Sequence, residues 1–347
     1  MKGAHWDLAN AGVGLSVLLL LALGRGWGPK ETADSAGRLP LRLAYFPNLT
    51  HAPALIGVGE GRYDKALPTV AISAKVVNAG PEAMEALLAG EVDMAFVGPS
   101  PAINTFIKSK GQALRIVAGA CDGGASLIAR GDVSISSVHD LDGHSVAVPQ
   151  LGGTQDVSLR HFLALNGLKP RELGGTVSII PVANPDILTL FKRRQIDAAW
   201  VPEPWASRLR SEGGGRTAVD ERDLWPGGRF TTTVLVARRQ FAETHPDAVR
   251  EFVAVHVATV SWIQEHPREA QDAANRELKR LAGKPLKENV LREAWSHLTF
   301  TTDPNASSIT AFAQAARDAG YLKDKNTDLT ALVDTKSLVA DRSRVAR

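Results

Sequence analysis

A chain of 347 residues exceeds the size at which one hydrophobic core stops growing, so two domains are expected. Its 40 Lys and Arg stand against 37 Asp and Glu, a net +3 scattered along the chain without a basic stripe, which argues against a nucleic-acid partner despite a pI of about 9.0. The single Cys121 excludes a disulfide framework and any multi-cysteine metal site, and no run of about eighteen apolar residues is present to span a bilayer.

The chain opens with Lys2, an apolar segment over residues 11–23 and the small-residue site Ala22-Leu23-Gly24, the layout of a secretory signal peptide over residues 1–24. Asp7 is unusual in the head of such a signal, and the competing reading is an uncleaved anchor, for which the segment is short. With no cysteine beside it, the N-terminus is not expected to carry lipid, and a periplasmic protein follows. Residues 25–39, rich in Gly, Ala and charge, read as a disordered lead-in.

From residue 41 strands alternate with helices. Strands are expected at 41–45, 70–77, 92–97, 114–118 and 126–129, with helices at 52–60 and 81–88, the second closed by Gly90. A new series takes a strand at 143–148, a helix at 154–165, a strand at 177–181, a helix at 185–194, a strand at 196–201 and a helix at 204–210. Residues 231–237 form a last strand, and helices alone follow. Repeated βαβ units imply right-handed crossovers and mostly parallel sheets flanked by helices, an α/β class.

Within this series, Val92-Asp93-Met94-Ala95-Phe96-Val97-Gly98-Pro99 and Ile196-Asp197-Ala198-Ala199-Trp200-Val201-Pro202 are near copies, each preceding a polar, proline-marked turn. Such short apolar runs read as strands covered on both faces. Ligands of open α/β sheets sit beyond the carboxyl ends of the strands, so two matching strand exits predict two lobes facing each other across a cleft. The element order inserts the second lobe into the first: residues 40–128 and 232–347 form lobe 1, residues 129–231 form lobe 2, and the two crossings make a two-stranded hinge. After Pro246, the residues Val249, Phe252, Val253, His256, Val260 and Ile263 share one helical face, on which His256 reads as a hydrogen-bonded core residue. Pro267 ends that helix and Asp303-Pro304-Asn305 opens another.

The turns at the strand exits suit an anion. Gly98-Pro99-Ser100 leads into a helix starting at Pro101, and a helix start offers free N–H groups and the positive end of its dipole. Ser100 adds a hydroxyl. In the second half Gly152-Gly153 permits close backbone approach, and Thr154, followed by Gln155, caps the next helix while exposing its own N–H and hydroxyl. The competing reading makes Ser100 and Thr154 ordinary caps. The remaining rim is Tyr45, Phe46, Asn48 and His51, then Asp122-Gly123-Gly124, then Trp200 and Trp205 around Glu203. None of these turns carries Lys or Arg, which leaves His51 as the one candidate cation. Phe96 reads as core, while Trp200 is divided between core and ligand contact.

The segments Leu43-Ala44-Tyr45-Phe46-Pro47-Asn48-Leu49-Thr50-His51-Ala52-Pro53-Ala54, Val97-Gly98-Pro99-Ser100-Pro101, Val148-Pro149-Gln150-Leu151-Gly152-Gly153-Thr154, Ala199-Trp200-Val201-Pro202-Glu203-Pro204-Trp205 and Phe241-Ala242-Glu243-Thr244-His245-Pro246 together resemble the nitrate/sulfonate/taurine group of periplasmic substrate-binding proteins of ABC transporters. The resemblance implies a two-lobed type II periplasmic-binding-protein fold that captures a small oxyanion and delivers it to an ABC permease with its ATPase, as a monomer and without a cofactor. An aliphatic sulfonate or taurine is the first expectation, because a sulfonate spreads its charge over three acceptors while its tail can pack on an aromatic face. Nitrate or bicarbonate is the alternative, since Glu203-Pro204-Trp205 also resembles those binders. Facing the cleft, Glu203 would repel a sulfonate or accept from taurine's ammonium; turned back, it would stabilise its own helix start.

No metal is expected, because the acids lack the alternating-oxygen pattern of a calcium loop. The cysteine and histidine pattern of thiamine-pyrimidine synthases is missing, which argues against that enzyme and leaves a related binding protein as a weaker option. A hydrolase using Ser100 or Ser126 with His51 would need a nucleophile elbow or a metal-ligand helix, and neither is present. A regulator's effector domain would need a helix-turn-helix ahead of residue 41.

Overall fold

A computed structural model describes residues 34, 36–323 and 328–338. The expected signal peptide and most of the expected lead-in lie outside the described residues. In the first lobe β1 (Leu39–Tyr45), α1 (Ala52–Gly59), α2 (Arg62–Ala66), β2 (Val70–Val76), α3 (Gly80–Leu88), β3 (Met94–Val97), α4 (Pro99–Lys108) and β4 (Leu114–Gly123) follow in order. The second lobe contains β5 (Ala125–Arg130), β6 (Ser145–Val148), α5 (Thr154–Leu165), β7 (Ser178–Pro181), α6 (Asn184–Lys192), β8 (Ala198–Pro202), α7 (Trp205–Gly213) and β9 (Gly215–Asp220). The chain then returns through β10 (Thr231–Arg238), α8 (Arg239–Thr244), α9 (Pro246–Glu265), α10 (Pro267–Ala282), α11 (Glu288–Ser296), β11 (Leu298–Phe300) and α12 (Ala306–Asp318).

The strands form two sheets, ordered β11-β4-β10-β3-β1-β2 and β7-β6-β8-β5-β9. They are mixed rather than mostly parallel. β1 pairs in parallel with β2 and β3, and β6 with β7 and β8, whereas β10 and β5 pair antiparallel with both neighbours. The crossings between sheets explain this. β5 and β10 each enter a sheet at the edge where its parallel strands end, so they must run against them.

The first crossing falls at Gly124, since β5 already pairs with β8 from Ala125; the expected boundary after residue 128 is four residues late. Nor does the last segment stay with lobe 1. β11 pairs with β4, but α12 packs against both α4 and α5, with Phe312 on the Trp225 ring at 4.6 Å. β9 and β11 were not legible as strands: β9 (Gly-Arg-Thr-Ala-Val-Asp) is a half-buried, largely polar edge, and β11 has three residues.

The sequence repeat has a structural counterpart. Every residue of β3 and β8 is buried, as strands covered on both faces require. The aspartate preceding each strand is used in the same way. Asp93 Oδ2 accepts from the Arg42 N–H at 3.0 Å while its own N–H donates to the Arg42 carbonyl at 2.9 Å. Asp197 does the same with Ser145, at 2.9 and 3.1 Å. Each aspartate therefore pins its strand to the neighbouring parallel strand in one register. His256 lies in the core as expected, donating from Nε2 to the Gly119 carbonyl at 2.7 Å, edge-on to Phe96.

Asp93 is also held by the Arg42 guanidinium at 2.7 and 2.8 Å and by Arg238 at 2.8 Å, with only 1% of its side chain exposed. Burial alone would raise its pKa, but these donors outweigh burial and hold it below the usual aspartate value. Asp93→Ala should cost about 3 kcal/mol of stability, because it removes the buried carboxylate shared by two partly buried guanidinium groups, whereas Asp197→Ala, at a site 26% exposed, should cost about 1 kcal/mol. Because the folded pKa is lowered, the Asp93 contribution is complete well above the unfolded value of about 3.9 and lost as pH falls through the folded one. Urea unfolding of wild type and both variants between pH 7 and pH 3 checks the ranking and the acid loss.

Candidate functional site

The carboxyl ends of β1, β2, β3, β6, β7 and β8 open onto one narrow cleft between the sheets. Phe46, Asn48 and His51 follow β1, Asn78 to Gly80 follow β2, and Gly98 follows β3; opposite them stand Gln150, Gly153, Thr154 and Gln155 after β6 and Asn184 after β7. Thr232, at the start of β10, completes the wall.

Four helices, α3, α4, α5 and α6, begin on this cleft, capped by Ala79, Gly98, Gly153 and Ala183, none of which makes a side-chain capping bond. With no side-chain cap the positive dipole ends stay open, although proline thins out the N–H groups: α4 keeps only that of Ser100 between Pro99 and Pro101, and α3 and α6 carry Pro81 and Pro185 in their first turns. The helix starts differ from the sequence reading. α4 begins at Pro99, two residues early, so Ser100 lies inside its first turn, and Thr154 is the first residue of α5 rather than its cap. Ser100 Oγ and Thr154 Oγ1 are buried and have no hydrogen-bond partner among the described residues, as is Asn184 Oδ1. An unpaired buried hydroxyl costs about 1–3 kcal/mol; Thr154 and Asn184 belong to the cleft wall, whereas other such atoms, Tyr63 Oη and His256 Nδ1 among them, lie in the core. Thr154, Gly153 and Gln155 line the space; Ser100, fully buried between the lining residues Gly98 and Pro101, does not.

Across the cleft the lobes touch. A Cβ placed on Gly98 would lie 2.1 Å from Thr154 Oγ1 and 3.5 Å from the Thr232 carbonyl, so only glycine permits this approach. A second contact joins the lobes where Trp205 Nε1 donates to Asn48 Oδ1 at 2.9 Å.

His51 is not a cation. It is 2% exposed and stacked on Phe46 at 4.2 Å, and burial pushes its pKa down to about 3. The Phe46 N–H donates to His51 Nδ1 at 3.4 Å, which leaves the proton on Nε2 and makes the ring a neutral donor. Among the described residues, no Lys, Arg, Asp or Glu lines the cleft.

Several expected ligand contacts turn elsewhere. Tyr45 points to the opposite face of β1 from Ala44, and its hydroxyl donates to Glu277 Oε1 at 2.9 Å within the core beneath α1 and α10. Trp200 is core: it stacks on Phe162 and donates from Nε1 to buried Glu221 at 2.6 Å. Glu203 is turned back, accepting from the Ser207 N–H at 3.0 Å and from Arg210 at 3.1 Å. Gly123 and Gly124, both at φ +75°, form the crossing itself, and the Gly124 carbonyl accepts from the Glu203 N–H at 2.8 Å. The sequence reading missed Asn78, Gln150, Asn184 and Thr232. Asn78-Ala79-Gly80-Pro81 and Asn184-Pro185 are strand-to-helix turns of the kind recognised at Gly98 and Gly153, so the same rule reaches them. Thr232 arrives from a crossing strand and carries no local signal.

The sequence model of the NMT1-like family matches residues 34–278. The taurine-binding periplasmic protein of Escherichia coli (strain K12) is 30% identical over 175 residues, covering 50% of this chain and 52% of that protein, so the chain matches about half the length of this relative. The alkanesulfonate-binding protein SsuA from Xanthomonas axonopodis pv. citri, solved bound to MOPS, superposes with a TM-score of 0.70 at 19% identity, covering 85% of this chain and 98% of that one. The periplasmic nitrate-binding protein NrtA from Synechocystis PCC 6803 gives a TM-score of 0.74 at 17% identity, covering 88% and 89%. Two mixed sheets with their parallel strand ends turned to a common cleft are therefore the fold of periplasmic binding proteins. With the family model spanning residues 34–278, the chain belongs to the NMT1-like family.

Proposed function

We propose that this protein is an extracytoplasmic solute-binding protein that captures a small oxyanion, an aliphatic sulfonate or taurine, and hands it to an ABC permease with its ATPase. It works as an exported monomer and performs no chemistry on the ligand. The observation that carries this reading is the meeting of the α4 and α5 starts, with Ser100 Oγ and Thr154 Oγ1 buried and unpartnered beside them and no charged side chain in the wall. Converging helix starts bind anions through N–H groups and dipoles without a cation. A sulfonate fits because its three oxygens can share these donors while its tail meets the Phe46 ring and the Pro149 and Pro202 side chains. Catalysis is disfavoured because the Phe46 N–H occupies His51 Nδ1 and leaves the proton on Nε2, so neither ring nitrogen is free to accept a proton from a serine.

Ser100 Oγ lies behind the lining of the empty cleft, and on this reading it reaches the anion only in the bound state; Ser100→Ala and Thr154→Ala should then each weaken sulfonate binding by about ten- to a hundredfold, the loss of one hydrogen bond to a charged group. Neither should lower the melting temperature of the free protein, because each hydroxyl lacks a partner in the fold. Calorimetric titration against ethanesulfonate with parallel thermal melts tests both, and unchanged affinity in two folded variants overturns the clamp. Gly98→Ala should weaken binding further, since its methyl group meets Thr154 and holds the lobes apart; small-angle scattering should then show less compaction on adding ligand. A third expectation concerns pH. With burial pushing the His51 pKa down to about 3 and no other ionisable side chain among the described residues of the wall, affinity for a permanently ionised sulfonate should be flat from pH 5 to 8. An affinity that follows a titration near 6.5 would contradict a neutral His51.

A further inference from the structure

We propose that the cleft selects against ammonium groups, so that the protein binds a plain alkanesulfonate in preference to the amino-bearing isostere taurine. This rests on the oxyanion reading above and narrows it. The relevant feature is an asymmetry of charge. Four helix starts direct their positive ends at the cleft, and no carboxylate among the described residues lines it.

Each acid close in sequence to the wall is engaged elsewhere or exposed to solvent outside the lining. Glu203, next to Pro202, is held by Ser207 and Arg210. Asp156, next to Gln155, accepts from the Gly152 N–H at 2.8 Å and from Arg160 at 2.8 Å, and also takes the Tyr321 hydroxyl. Glu82 accepts from the Asn78 N–H at 2.9 Å, and Asp186 is exposed on α6. An ammonium carried into this space would lose its water, meet no counter-charge and lie in the field of the same helix ends that hold the sulfonate. Neutral acceptors do not change this. Asn184 Oδ1 can take one N–H but supplies no charge, and Asn48 Oδ1 is already bonded to Trp205. A methyl group in the ammonium's place has favourable neighbours instead, in Phe46, Ala79, Pro101, Pro149 and Pro202.

Propane-1-sulfonate and taurine differ only by CH3 against NH3+ at the end of the same chain, which makes them the deciding pair. In calorimetric titrations at pH 7, wild type should bind propane-1-sulfonate at least about tenfold more tightly than taurine. Asn184→Asp, which places a carboxylate in the wall, should shift that ratio toward taurine, with a thermal melt confirming that the variant folds. Should the variant fail to fold, the wild-type ratio alone decides. Taurine bound as tightly as propane-1-sulfonate, or more tightly, would overturn this inference and leave the oxyanion reading intact, because both ligands carry the sulfonate. Failure of both to bind while nitrate does would overturn the sulfonate reading, and this inference with it.

Discussion

Two helix N-termini that face each other at contact distance repel, because each carries partial positive charge on unpaired N–H groups. α4 and α5 are in this position: the Cα of Gly98 lies so near Thr154 Oγ1 that a methyl group would not fit. Under the proposed function the arrangement becomes favourable when an anion lies between the ends, which would link lobe closure to ligand capture through one electrostatic requirement. The glycine caps serve the same requirement. A serine or aspartate at position 98 or 153 would satisfy the helix from within and remove the donors from the cleft. Neutral His51 and the absence of lysine and arginine from the wall follow from it too, since dipoles and hydroxyls already provide the field.

Strand direction brings these ends together. Parallel strands in both sheets finish at the cleft, and the strands entering from the other lobe run against them. Asp93 and Asp197 hold the central parallel pairs in register, so Gly98 and Pro202 emerge where the cleft needs them. The return crossing is tied down by Glu221. Its carboxylate is fully buried, which raises its pKa, yet it accepts from Ser158, Trp200 and Trp225, at 2.6, 2.6 and 3.0 Å. Away from the cleft, Arg210 reaches from α7 to Glu293 of α11 at 2.5 Å, a further link between the lobes. Trp205 to Asn48 and Arg210 to Glu293 are interlobe bonds that use no ligand, so part of the closed geometry is held by the protein itself.

What the sequence alone determined about this protein is what local periodicity and turn chemistry encode. The twice-written apolar strand, the helix at residues 154–165, the buried stripe from Val249 to Ile263, the Asn305 cap and the absence of cations at the strand exits were all legible, because each depends on neighbours within a few residues. Strand exits alone pointed to Asn48, His51, Gly153, Thr154 and Gln155 as part of the cleft wall. Tertiary structure decided which way the rim side chains turn. Tyr45 is drawn to Glu277, 232 residues on, Trp200 to Glu221, and Glu203 to Arg210. It also decided that β9 and β11 are strands, that α12 bridges toward lobe 2, and that burial removes the charge from His51. A side chain's direction and ionisation depend on partners and dielectric surroundings assembled by the whole fold, and no local pattern of residues carries that information.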